Sequence, residues 1–169
     1  LNAQCGGDST LIGGEGGFAP PCDCRSGLEL IMEAIAKAGH DGKCTVGLDV
    51  AASEFKDKSS GVGADAVYNL GMWDPPGSPP QLYTAEKLAD FYAELIRDFP
   101  IVTIEDAYDE DDWPNWSSMV AQVGKDVQVV GDDLTVTNPV KIARAVKEKA
   151  ANALLLKVNQ IGSMTEAIQ

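Results

Sequence analysis

The 169 residues carry 13 lysines and arginines against 26 aspartates and glutamates, a formal net charge of −13. Apolar types make up 44% and charged types 23%, a globular composition, and no stretch approaches the ~18 apolar residues of a membrane span. So acidic a chain argues against nucleic acid and anionic membrane as partners, and if it handles an anion it must invert its local field, most simply with a bound cation.

The chain opens on Leu1, and its first residues lack the basic and apolar regions of a signal peptide. Gly13-Gly14-Glu15-Gly16-Gly17-Phe18-Ala19-Pro20-Pro21 surrounds one carboxylate with four glycines. Such a backbone suits unusual torsions or close approach to a ligand, but it lacks the spacing of a phosphate-binding loop. Cys5, Cys22, Cys24 and Cys44, with the only histidine, His40, in a turn-like stretch, form no zinc-ligand pattern. They read as reduced thiols of a cytoplasmic protein.

A capping box, Ser26 to Glu29, predicts a helix over 26–38 with Leu28, Ile31, Met32 and Ile35 on one face and Gly39 as its stop. Residues 45–50 predict a strand, and the Gly-, Pro- and Ser-rich stretch 56–83 a long loop. A helix over 84–98 presents Leu88, Phe91, Tyr92, Leu95 and Ile96, followed by a strand over 101–106. A helix near 114–123 follows Pro114, a strand covers 127–130, and Asn138-Pro139 opens a helix to about Lys149. A strand over 153–158 completes the alternation. Strand and helix in turn predict an α/β fold with a parallel sheet, either doubly wound or part of a closed barrel. Ser163 and Glu166 announce another helix one turn before the last residue, so the sequence reads as a piece of something longer.

Alternation along a strand sorts side chains by face. One parity collects Val46, Leu48, Val50, Val102, Ile104, Val127, Val129, Leu154, Leu156 and Val158, an aliphatic face for packing under helices. The other collects Thr45, Gly47, Asp49; Ile101, Thr103, Glu105; Gln128, Val130, Asp132; and Ala153, Leu155, Lys157. Each strand of this second set ends in an ionisable group. Solvated strand ends on an acidic protein give one explanation. The other is an oxygen-ligand set for magnesium or manganese at the C-terminal ends of barrel strands. Lys157 is either paired with a neighbouring carboxylate or a base whose pKa a divalent metal lowers; spacing leaves both open.

The segments 14–20, 47–55, 103–106, 131–139 and 154–162 together resemble the enolase family, in its motif order. The resemblance implies part of a (β/α)8 TIM-type barrel, enolase C-terminal-domain-like and truncated at both ends, with 1–169 inside that single domain. It implies phosphopyruvate hydratase activity, the magnesium-dependent, cytoplasmic glycolytic lyase that interconverts 2-phosphoglycerate and phosphoenolpyruvate, in a homodimeric parent. It implies that Asp49, Glu105 and Asp132 ligate Mg²⁺, with Glu105, Asp132 and Lys157 also binding substrate. It further implies that Lys157 removes the C2 proton and Glu15 assists loss of the C3 hydroxyl. Gly14 stands where the family usually has an acidic residue, and the family's downstream histidine, arginine and second lysine are missing. A typical barrel takes ~250 residues, so the polypeptide alone is expected to be inactive. A superfamily dehydratase acting on an acid sugar, or a non-catalytic Mg-binding α/β module, is the alternative. A phospho-receiver domain is disfavoured, because its acidic pair lies on the first strand whereas Asp132-Asp133 comes late.

Overall fold

The computed structural model describes residues 1–6, 9–14, 16–72, 74 and 77–169 and divides the chain into two units, Leu1–Thr45 and Val46–Gln169.

In the first unit a single turn, α1 (Asn2–Cys5), precedes the glycine-rich segment, which an antiparallel bridge between Ile12 and Phe18 closes. Helix α2 (Cys24–Lys37) begins earlier than the sequence pattern predicts. Its cap is Asp23, whose carboxylate accepts from the Ser26 amide at 2.9 Å and from the Ser26 hydroxyl at 2.8 Å. Ser26 therefore lies inside the first turn, and the predicted Ser26–Glu29 box does not form. A carboxylate is as good a cap as a hydroxyl, and those two bonds also hold Asp23 below the usual carboxylate range. The far end follows the pattern: Gly39 takes φ +78, and the amides of Gly39 and His40 donate to Ala36 and Ile35, a Schellman stop.

The second unit is built on β1 (Val46–Asp49), then a pair of short antiparallel strands, β2 (Val67–Asn69) and β3 (Leu82–Thr84). There follow α3 (Ala85–Asp98), β4 (Ile101–Glu105), α4 (Trp113–Val123), β5 (Gln128–Gly131), α5 (Pro139–Glu148) and β6 (Ala153–Leu154). Two short helices, α6 (Val158–Ile161) and α7 (Met164–Ile168), complete it, Ser163 capping α7 by accepting from the Glu166 amide. Strands β1, β4, β5 and β6 form one parallel sheet in that order, the predicted alternation. Ile104 and Val129 of the sheet and Leu88, Leu95 and Trp116 of the helices are among the fully buried side chains of its core. No helix among the described residues is long and apolar enough to cross a membrane.

Three predicted features are corrected. The stretch 56–83 is not all loop: β2 pairs with β3, and Tyr68 at its centre is fully buried, with its hydroxyl donating to Asp112 at 2.8 Å. The strand predicted over 153–158 stops at Leu154: among the described residues β6 is the last strand of the sheet, paired with β5, and Val158 already opens α6. The aliphatic face is incomplete as well. Val46 pairs with Ile101 and Gly47 with Thr103, so Val102 is the extra residue of a bulge and stays 44% exposed. Leu154 and Leu156 on the edge strand's course are likewise exposed.

Lys149 caps α5 at φ +54 and is exposed. Lys149→Gly is expected to raise stability by about 0.5–1 kcal/mol, since glycine takes this left-handed conformation without the Cβ penalty. A thermal melt reads it as a higher Tm.

Candidate active site

Register decides what gathers at the C-terminal edge of the sheet. Asp49 pairs with Glu105 and Glu105 with Val130, and partners in a parallel ladder point the same way. Asp132 follows Val130 by two residues and keeps that face. Gly47 serves the same face: a Cβ there would lie 2.8 Å from Cγ2 of Thr103, its register partner, so only glycine leaves room. Asp49 is exposed, Glu105 half-buried and Asp132 buried.

The carboxylates form two overlapping triads. Ligand oxygens of Asp49, Glu105 and Asp106 lie within 4.8 Å of one another, and so do those of Asp106, Asp132 and Asp133. Crowding shows in the electrostatics. Glu105 is pushed up to about 7, first by burial and then by the charges of Asp49 and Asp132. Burial likewise raises Asp106 to about 6, against the two backbone amides that bond it. Asp133 is raised by burial and by the charge of Asp132. An all-oxygen donor set gathered in this way could hold a hard divalent cation.

Lys157 stands at the N-cap of α6 and its Nζ donates to Oδ2 of Asp132, the paired arrangement the spacing left open. That hydrogen bond holds the ammonium above the usual lysine range. The other oxygen, Oδ1, accepts from Nε2 of Gln160 at 2.6 Å. The structure thus brings Glu105 within ligand distance of Asp49, leaves Asp132 near enough for its charge to raise Glu105, and puts Lys157 onto Asp132. Asp49, Glu105 and Asp132 are not themselves one of the two triads, which Asp106 joins. Glu15 lies outside the described residues.

Three participants escape the parity pattern. Asp106 counts as a residue of the aliphatic face, yet its φ of +44 ends the strand at Glu105. Its carboxylate then accepts from the amides of Asp132 and Asp133, both at 3.0 Å, tying the end of β4 to the turn after β5. Thr137 and Gln160 carry no charge and lie beyond their strands; only their place inside the long motifs 131–139 and 154–162 points to them. Ala51, Asp106, Val136 and Thr137 all take φ between +43 and +54 after the ends of β1, β4 and β5. Each such residue costs roughly 1–3 kcal/mol, and strain concentrated at one edge of a sheet is a mark of a functional edge.

Comparison with known proteins agrees with this geometry. The family described as "Enolase, C-terminal TIM barrel domain" matches residues 1–169. "Enolase 2" of Hevea brasiliensis and "Enolase" of Solanum lycopersicum are each 48% identical to it over 170 aligned positions, covering the whole chain. The chain spans 37% of the length of each of these relatives. An α/β fold with a parallel sheet, carboxylates at its C-terminal edge and a family match over every residue together show that the chain belongs to the enolase C-terminal TIM barrel family.

Proposed function

We propose that the protein carrying this chain is a magnesium-dependent lyase that reversibly dehydrates 2-phosphoglycerate to phosphoenolpyruvate, with 1–169 forming part of a single barrel domain. The observation that carries this reading is the meeting of Glu105, Asp132 and Lys157 at one sheet edge beside Asp49. Asp49, Glu105 and Asp132 hold the cation. When bound, Mg²⁺ stabilises the negative charge that develops on the substrate carboxylate as its neighbouring proton leaves.

Lys157, once it has given up the Asp132 hydrogen bond that favours its ammonium and stands as the free amine, takes the C2 proton, and Glu15 supplies a proton to the departing C3 hydroxyl. Two groups for two proton transfers is what a stepwise elimination needs, and each must sit within hydrogen-bond reach of its own atom. The names of the plant relatives and the motif segments support the assignment. Four unpaired cysteines among the described residues support a cytoplasmic setting.

The test is conversion of 2-phosphoglycerate by the complete gene product, with Mg²⁺ and after chelation. Chelation is expected to abolish turnover. Turnover that survives chelation, or that requires a different hydroxy acid, overturns the reading.

The metal site has its own pH signature, readable on the chain itself. Glu105 holds its proton up to about 7 in the folded chain, against an ordinary value of 4.5. The folded state therefore binds that proton more tightly than the unfolded state. Without divalent cation, the contribution of Glu105 to stability is expected to be fully present below pH 4.5 and to be lost as pH rises to about 7. Mg²⁺ reverses that loss by neutralising the crowded carboxylates, and its binding weakens below about pH 7 as protons compete. Thermal melts against pH with and without Mg²⁺ measure this, and Glu105→Gln flattens the metal-free profile.

A further inference from the structure

Asp132 lies between two donors, and neither its own orientation nor that of the lysine follows from the strand. The arrangement is set by two uncharged residues. Thr137 is 1% exposed, and its Oγ1 accepts from the backbone amide of Lys157 at 2.9 Å. With that lone pair occupied, its single O–H is aimed elsewhere, and it donates to Oε1 of Gln160 at 2.7 Å. A side-chain amide has one acceptor end and one donor end. Fixing Oε1 on Thr137 turns Nε2 of Gln160 toward Asp132, where it donates to Oδ1 at 2.6 Å. Oδ2 is then the oxygen presented to Nζ of Lys157.

From this closed circuit we infer that Thr137 and Gln160 are positioning residues: Thr137 sets the backbone of Lys157 and the amide sense of Gln160, and Gln160 fixes the rotation of the Asp132 carboxylate. The inference rests on the proposed roles of Lys157 and Asp132. It deepens them by naming what aims them. An acceptor-only carboxylate without the Gln160 donor is free to rotate, and the lysine loses its defined partner oxygen. Thr137 also holds φ +54, a conformation a β-branched residue adopts only when its surroundings over-determine it. Its hydroxyl bonds are part of that determination.

The experiment compares Thr137→Val, Thr137→Ser, Gln160→Met and the unaltered protein. Thr137→Val keeps shape and removes the hydroxyl; Thr137→Ser restores it. The first readout, on the chain without metal, is the ¹H–¹⁵N resonance of the Lys157 amide. Thr137→Val is expected to move it upfield, and Thr137→Ser to return it. The second, in the complete gene product with Mg²⁺, is solvent exchange of the C2 hydrogen of 2-phosphoglycerate. Thr137→Val and Gln160→Met are expected to lower kcat for exchange by about 10–100-fold with KM nearly unchanged, the usual cost of removing a group that orients a ligand or base. Thr137→Ser is expected to recover most of it. An unmoved Lys157 amide in Thr137→Val together with full exchange in both variants overturns the inference while leaving the proposed function standing, provided Lys157→Ala loses exchange. Absence of exchange in the unaltered protein overturns both.

Discussion

Lys157→Ala is expected to lower exchange of the C2 hydrogen with solvent by about 10²–10⁴-fold in the complete gene product, the range a positioned general base contributes. Exchange reports proton removal and return without completion of the elimination, so it isolates the base. Glu15→Gln tests the other half of the assignment. It retains the size of the side chain but removes the transferable proton, and it is expected to slow dehydration more than exchange. The two variants together therefore divide the reaction. Equal loss of exchange in both contradicts the division, whatever the overall rates. Because Lys157 bonds Asp132 directly, Mg²⁺ affinity is measured by calorimetry in the same variant. An unchanged affinity assigns the loss to the missing base and not to a damaged metal site.

The largest effect on stability is expected from Asp112→Ala, about 3–5 kcal/mol. Asp112 is fully buried and is the N-cap residue of α4, yet its side chain makes no capping hydrogen bond to that helix. Its oxygens accept instead from the Gly63 amide at 2.7 Å, the Tyr68 hydroxyl at 2.8 Å and Nδ2 of Asn115 at 2.7 Å. Removing the carboxylate leaves these donors facing apolar surroundings, since Tyr68 is itself buried and stacks edge-on against Tyr108 at 5.9 Å between ring centroids. Asp112→Asn is expected to cost less, because it retains one acceptor while turning an N–H₂ toward groups that already donate. Chemical denaturation of the chain measures both. Equal, small effects would show that the β2–β3 pair is held by its aromatic contacts alone.

The same network explains why β2 and β3 are invisible in the sequence. Each is three residues long, too short for alternation to register, and what holds them is distant: Tyr68 reaches Asp112, 44 residues on. Asp49, Glu105 and Asp132 were legible for the opposite reason. Asp49 and Glu105 end strands long enough to count and Asp132 directly follows one, and a period of two is a local property of extended backbone. The count failed where the backbone departs from that period, at the Val102 bulge and at Asp106, whose positive φ sends its carboxylate back to the amides of Asp132 and Asp133.

Sequence by itself was enough for the α/β alternation, for the family, and for four of the ionisable groups at the sheet edge, because motif identity and strand periodicity are carried by neighbouring residues. Only the tertiary structure decided that Glu105 is crowded enough to hold its proton to about 7, and that Asp132 divides its oxygens between Lys157 and Gln160, 25 and 28 residues away. Burial, like-charge proximity and hydrogen-bond sense depend on which strand lies beside which, and no local pattern encodes that.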